Sequence, residues 1–175
     1  MTATTPAREI SARPKLADGV IVTLPWPVSA NVYWRTRVVK GVAMTYVSAE
    51  AKAFKAEVQR RLKAAGCAVP IEGRVSVGMI LCPNLPQDWQ KRQRKLGAAW
   101  DDGVRSIDLD NAIKVTLDAM KGVAFLDDVW VRRITAERSE PIGEACLVVT
   151  IRKIETEAPQ AALALPEPGI DPLEV

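Results

Sequence analysis

A helical pattern flanked by carboxylates, within residues 105–130, constrains the fold of this chain more than any other stretch. Asp108 and Asp110 stand where a helix N-cap is expected, and Gly122 stands where a C′ residue is expected. Between them the apolar residues recur at helical spacing and predict a helix of about three turns. Its predicted apolar side comprises Ile113, Leu117 and Met120, and its polar side comprises Asp110, Asn111, Lys114, Asp118 and Lys121.

Carboxylates stand at both ends of this predicted helix. In an extended Asp-x-Asp segment the side chains of Asp108 and Asp110 point to one side and repel each other unless a cation lies between them. Mg²⁺ prefers oxygen ligands and is commonly held by a few carboxylates together with water and substrate phosphate. The pair Asp127 and Asp128 begins the next element and is a candidate source of a third carboxylate. Lys114, one turn beyond Asp110, is a candidate partner for an acid or a phosphate.

The same residues admit a purely structural interpretation. Asp110 then caps the helix, Asp127 and Asp128 form a turn, and Lys114 is an i,i+4 salt-bridge partner. Because Asp-x-Asp is a weak signal by itself, spacing alone leaves the metal-binding and the structural interpretations open.

Composition narrows the chemistry. The chain contains no histidine, which excludes Ser-His-Asp, Cys-His and histidine-metal sites and leaves carboxylates, lysines and a bound metal for any hydrolysis. Cys67, Cys82 and Cys146 match neither zinc spacing nor a disulfide framework, so we expect reduced, mostly buried thiols. The net charge is +3, but residues 155–175 hold five acids and no base, so residues 1–154 carry +8. A basic domain of this kind suits a polyanionic partner.

The length of 175 residues and the hydrophobic content of 48% suit one domain with a core. Residues 1–18 are polar and aperiodic and predict a mobile arm, and residues 155–175 predict a disordered acidic tail rich in Pro and Ala. The domain is expected over residues 19–154. We find no apolar run of 18 or more residues and no signal-peptide pattern, so we expect a soluble, cytoplasmic protein with no membrane contact.

Within the domain, residue patterns predict an α/β or α+β fold, with one mixed sheet of about five strands and two main helices. The second helix is the one that carries the acids. The predicted strands cover residues 20–24, 42–47, 73–82, 129–137 and 144–153, and the first helix, capped by Ser48, extends to about Gly66 with Phe54, Val58 and Leu62 as its buried stripe.

Several short motifs stand in a particular order along the chain: Leu-Pro-Trp-Pro-Val-Ser-Ala-Asn at 24–31, Asp-Leu-Asp-Asn at 108–111, Lys114, Leu-Asp-Ala at 117–119 and Leu-Asp-Asp-Val at 126–129. Their order and spacing resemble the RusA family of Holliday junction resolvases. The likeness covers roughly residues 20–154. Val28 departs from it, because it replaces the second proline of the family's Pro-Pro-Ser-x-Asn loop.

The resemblance implies a homodimeric, Mg²⁺-dependent endonuclease, with Mn²⁺ as an alternative ion, that resolves four-way DNA junctions by paired symmetric nicks in recombination and repair. It also implies that Asp108, Asp110 and Asp128 hold the metal and that Lys114 is a supporting base or phosphate contact. Asp127 and Asp118 are second choices for these roles. Two alternatives stay open: a nuclease of flaps or forks, and a non-catalytic DNA-binding dimer of the same fold.

With that resemblance, two basic segments become candidates for DNA contact. Residues 31–47 predict a hairpin with aromatic and basic side chains, and residues 83–105 predict a loop or short helix beside the active site. The alternative for both is a solvated surface segment. The candidate DNA-binding residues are Asn31, Arg35, Arg37, Lys91, Arg92, Arg94, Lys95 and Arg105.

Overall fold

The computed structural model of the chain describes residues 19–155. The expected arm over residues 1–18 lies outside the described residues, as do residues 156–175 of the expected tail. None of the helices in the described range is long and apolar enough to cross a membrane. The helices are α1 (Ala30–Tyr33), α2 (Ala49–Ala64), α3 (Trp89–Leu96) and α4 (Leu109–Met120), and the strands are β1 (Gly19–Pro25), β2 (Trp34–Val39), β3 (Val42–Val47), β4 (Val75–Cys82), β5 (Val131–Arg138) and β6 (Cys146–Lys153).

Four strands form one mixed sheet in the order β1-β6-β4-β5. Strand β6 pairs antiparallel with β1 and β4, whereas β4 and β5 are parallel and are connected through α3 and α4, since parallel strands need a crossover. Strands β2 and β3 form a separate antiparallel ribbon. The predicted mixed α+β domain is confirmed. Its sheet has four strands rather than about five, because the ribbon pairs only within itself.

Helix α2 follows its prediction closely. It begins after Ser48, whose Oγ accepts a hydrogen bond from the Ala51 backbone N–H at 3.1 Å. Its predicted stripe of Phe54, Val58 and Leu62 is buried. This stripe packs with α4 and with the alternating buried residues of β1, β4 and β6 in one contiguous core.

Helix α4 has the predicted extent, but its buried side differs from the predicted one. Ala112, Val115 and Ala119 are almost fully buried against the core. Of the predicted apolar side, Met120 is fully buried, whereas Ile113 and Leu117 are only half-buried. The centre of the buried side is roughly 100° around the helix axis from the predicted centre. The error arises because alanine adds little to an apolar pattern, yet its small side chain lets two helices approach closely.

Two connections refine the predicted boundaries. Strand β5 begins at Val131 rather than at residue 129, because residues 128–130 form a 3₁₀ turn. Segment 83–105 contains α3, the predicted short helix. Cys67, Cys82 and Cys146 are free thiols, as expected, and the first two are buried.

Candidate active site

The first turn of α4 holds two carboxylates with little local bonding. Helix α4 begins at Leu109, so Asp108 is its N-cap residue and Asp110 lies in its first turn. The expectation of an extended Asp-x-Asp pair is therefore wrong, because the helix begins before the second acid. The Asp108 carboxylate makes no capping hydrogen bond, and its contact with the Asn111 amide spans 3.5 Å. Both acids are exposed, and the helix dipole favours negative charge here.

Lys114 lies one turn further along the same helix and is exposed. Within residues 19–155, no ion pair joins it to Asp110 or to another acid. The structure therefore does not contain the i,i+4 salt bridge that the structural interpretation gave to Lys114. Its ammonium group is available to a ligand near the start of α4.

The opposite end of α4 carries the acid pair Asp127 and Asp128, which differ in their bonding. Asp127 accepts hydrogen bonds from Lys121 Nζ at 2.6 Å and from the Val129 backbone N–H at 3.2 Å. The Lys121 ammonium is the main reason that the pKa of Asp127 falls to about 2. Asp128 lies 3.6 Å from the same ammonium and is 60% exposed. Asp127 is thus engaged in holding the turn, and Asp128 is the more available acid.

The two acid groups do not meet within one chain. Helix α4 has 12 residues, so its ends are roughly 18 Å apart. Lys121 follows its last turn and binds Asp128, whereas Asp108 precedes its first turn. Among the described residues, no group of three or more acids or cysteines lies close enough to hold a metal ion. The predicted set of Asp108, Asp110 and Asp128 is therefore divided between two places.

Asp118 has a different environment from that predicted. Its carboxylate accepts a hydrogen bond from the Tyr33 hydroxyl and lies 3.4 Å from Lys55 Nζ, and it forms no ion pair with Lys114 one turn away on the same helix. Burial and the Asp118 carboxylate raise the pKa of Tyr33. This cluster joins α1, α2 and α4, and therefore fixes the residues after the 24–31 loop against the acid-bearing helix. Sequence analysis missed Tyr33 and Lys55, because they are distant from Asp118 along the chain.

A cleft of about 870 Å³ opens beside Asp108. Its walls come from the loop before α1, the chain after β4, helix α3, residues 103–107 and the first turn of α4. Asn84 also lines the cleft, and its position directly after Pro83 at the end of a strand was the only sequence signal for it. The polar side chains that matter for its chemistry are Asn31, Asn84, Arg92, Arg105, Asp108 and Asn111.

The candidate DNA-binding residues are distributed over four surfaces. Asn31, Arg92 and Arg105 line the cleft beside Asp108. Arg94 lines a separate cavity of about 710 Å³ with Trp100 and Glu140. The remaining candidates are exposed on α3 (Lys91 and Lys95) and on the β2–β3 ribbon (Arg35 and Arg37).

The motif order, the mixed fold and the acid-bearing helix agree with one known family. The sequence model described as Endodeoxyribonuclease RusA matches residues 25–152, which is most of the chain. The chain belongs to the RusA family. The predicted enzyme class, a nuclease, is confirmed by this match. The matched range contains all four candidate catalytic residues.

Named relatives agree with the RusA match. The crossover junction endodeoxyribonuclease RusA of Escherichia coli (strain K12) is 33% identical over 115 residues, which cover 63% of this chain and 74% of the relative. Over the same shares, the protein of that name from Shigella sonnei (strain Ss046) is 32% identical and the one from Enterobacteria phage 82 is 31% identical.

The donors at the start of α4 fit a hard divalent cation. Mg²⁺ keeps several waters and is commonly bound through one or two carboxylates and substrate phosphate, so a complete protein cage is not required. Asp108 and Asp110 provide two exposed carboxylates without an ammonium or guanidinium partner in the described range. The residues of this RusA-family chain are therefore compatible with the implied ion.

Proposed function

We propose that this protein is a Mg²⁺-dependent endonuclease that resolves four-way DNA junctions. The observation that carries this proposal is the N-cap carboxylate of Asp108, which does not cap its helix and instead faces a cleft with Arg92 and Arg105. A carboxylate that makes no capping hydrogen bond and lies beside arginines suits a site that binds both a metal ion and a phosphate. The relatives named above as crossover junction endodeoxyribonucleases support the choice of substrate.

In the proposed site, Asp108 and Asp110 hold the cation beside the scissile phosphate. The bound ion supplies Lewis acidity and a water that is activated at neutral pH. The Lys114 ammonium, one turn away, offsets negative charge on the phosphoryl oxygens. Because the chain has no histidine, proton transfer falls to carboxylates and water.

The third acid is proposed to come from a second copy of the chain. Asp128 contacts Lys121 at the far end of α4 from Asp108 and Asp110, and the three acids form no cluster within one chain. A two-fold axis could instead put Asp128 of each copy beside the Asp108–Asp110 pair of the other. Such an isologous arrangement produces two identical sites, which suits two symmetric nicks.

The surface around Asp128 supports this dimer. Leu126, Val129, Trp130 and Ile134 are large apolar residues that are exposed on either side of it in sequence. Trp is enriched in interfaces, and exposed apolar patches rimmed by polar residues mark association surfaces. We therefore propose the 126–134 surface, defined by these four residues and Asp128, as the homodimer contact.

The direct test is incubation of the purified protein with a synthetic four-way junction in Mg²⁺, beside linear duplex, flap and fork substrates. We expect paired symmetric nicks in the junction, no cleavage without a divalent cation, and a particle of twice the 19.1 kDa chain mass. Preferential cleavage of flaps or forks would replace the proposed substrate. Junction binding without cleavage by any divalent ion would leave a DNA-binding dimer.

A further inference from the structure

The cleft beside Asp108 offers more room than phosphate contact requires. Its volume of about 870 Å³ lies in the range of pockets that enclose a small ligand. Exposed lysines and arginines on a convex surface are enough to hold a DNA backbone, and α3 provides these on its outer side as Lys91 and Lys95. A cleft of this volume therefore has room for a ligand group larger than a phosphate.

Arg92 is held in an orientation suited to such a ligand. Its Nε donates a hydrogen bond to Asp88 Oδ1 at 2.8 Å, one turn earlier on the same chain segment. The guanidinium extends towards Gly103, so that a Cβ added to this glycine would lie 3.9 Å from Arg92 Nη1. Arg92 lines the cleft, and its remaining guanidinium N–H groups take no part in the Asp88 bond. Because the hydrogen bond to Asp88 already holds one side of the guanidinium, Arg92 loses little side-chain freedom when a ligand binds.

The carboxamides provide a second kind of group in the same cleft. Asn84 Oδ1 accepts a hydrogen bond from the Ala145 backbone N–H at 2.8 Å, which fixes the side chain and leaves its amide N–H groups as donors. Asn31 reaches the cleft from the first turn of α1. Trp26 and Pro27 add an apolar wall. Carboxamides read base edges, and flat apolar walls accept bases, whereas neither is needed to bind phosphate.

We propose that this cleft binds one unstacked nucleotide adjacent to the scissile phosphate. Arg92 and Arg105 bind its phosphate, Asn31 and Asn84 contact the edge of its base, and the base lies against the wall formed by Trp26 and Pro27. The proposal rests on the proposed junction nuclease activity and adds a source of sequence preference to it. Unstacking costs less for a base that is not held in a continuous duplex, and a branch point interrupts the duplex.

The test compares cleft variants with neighbouring variants outside the cleft. Arg92→Ala removes the anchored guanidinium. Gly103→Leu fills the cleft, and Gly103 does not have the positive φ that would strain a larger residue. Ala98→Leu is the volume control because Ala98 lines the other cavity, and Arg94→Ala is the charge control from the same helix. Helix α3 has no buried residue, so the two arginine variants should keep their melting temperatures.

The measured quantities are single-turnover rates on junctions that carry each of the four bases, or an abasic site, beside the cut. Wild-type protein should prefer one base and lose about tenfold or more in rate on the abasic junction. Gly103→Leu should lose a similar factor on the preferred base and show no further loss on the abasic junction. Arg92→Ala removes a phosphate contact and should slow the cleavage of every junction alike. Ala98→Leu and Arg94→Ala should retain the base preference.

Two contrary outcomes are distinguishable. If wild-type protein cleaves junctions while Gly103→Leu keeps its base preference and abasic penalty, the cleft does not bind the nucleotide, and only this proposal fails. If wild-type protein cleaves no branched DNA, the proposed function and the cleft assignment fail together.

Discussion

The two ends of α4 differ in how their charged groups are bonded. At the C-terminal end, Lys121 pairs with Asp127 and contacts Asp128, and a turn is built on those bonds. At the N-terminal end, Asp108 and Asp110 have no cationic partner within the described residues, and the Asp108 side chain makes no capping hydrogen bond to its helix. The same residue type thus serves the fold at one end and is left available to a ligand at the other.

This contrast separates structural acids from candidate metal ligands without reference to their order in the sequence. Asp127 and Asp118 each bond to a lysine, and each of those bonds connects parts of the fold. Asp128 is intermediate, since its contact with Lys121 is long and its side chain is mostly exposed. An acid with its bonds already made would have to give them up in order to bind a cation, so the least bonded acids are the better ligands.

The largest effect is expected from the unpaired acids. Asp108→Asn or Asp110→Asn should lower junction cleavage by roughly 10³-fold or more, because several kcal/mol of transition-state stabilisation depends on the cation that they hold. Binding of the junction should be equal or tighter, since a negative charge beside phosphate is removed. The check is single-turnover cleavage together with a gel-shift titration. Near-normal cleavage by both variants would remove these acids from the site.

The second prediction tests whether the site spans two chains. Separately, Asp110→Asn and Asp128→Asn dimers should be inactive. In a mixed dimer, one site combines an intact Asp108–Asp110 pair with the intact Asp128 of the other chain, so cleavage should return. With equal amounts and random pairing, about a quarter of all sites should be active, and the products should be single nicks.

The control for this mixture is Asp108→Asn with Asp110→Asn, which leaves no intact pair in any dimer. It should stay inactive and defines the background rate. If the Asp110→Asn and Asp128→Asn mixture also stays at that background while heterodimers form, the third acid does not come from the second copy. Asp127→Asn, by contrast, should keep most of its activity.

The sequence predicted the class of fold and the helix boundaries well because these depend on local features. Ser48 caps α2 through its own side chain, and Gly122 ends α4 with a positive φ of 79°. The buried side of α4 was predicted less well, because Ala112 and Ala119 are buried through close packing rather than through apolar bulk.

The candidate site could be predicted only in part, for a different reason. Motif order selected the acids, but their separation along α4 depends on the helix length and on the turn that Lys121 holds. The expected proximity of Asp128 to Asp110 rested on its place at the start of the next element and on the family's motif order, and neither gives a distance in space. The Asp118–Tyr33–Lys55 cluster and the role of Asn84 depend on long-range packing, for which a single sequence has no local signal.

A smaller effect on activity is expected at Lys114. Lys114→Ala should reduce single-turnover cleavage by about 10²-fold, which is the loss typical of one electrostatic contact to a transition state. The melting temperature should not change, because Lys114 is exposed and makes no ion pair in the described range. Lys114→Arg should recover part of the rate by keeping the charge. A rate for the alanine variant equal to that of wild type would make Lys114 an ordinary surface residue.

The smallest effect is expected at Asp127, where it should appear in stability and depend on pH. Lys121 holds the pKa of Asp127 near 2 in the folded protein, below its ordinary value of 3.8. The carboxylate therefore stabilises the fold fully above the ordinary value, and this contribution is lost as the pH falls towards 2. Asp127→Asn should lower the melting temperature by at most a few degrees at pH 7, since exposed ion pairs contribute little. The gap from wild type should close as the pH is lowered from 5 towards 2. A gap that stays constant over that range would mean that the carboxylate charge does not stabilise the turn, and that Asp127, like Asp108, is free to bind a cation.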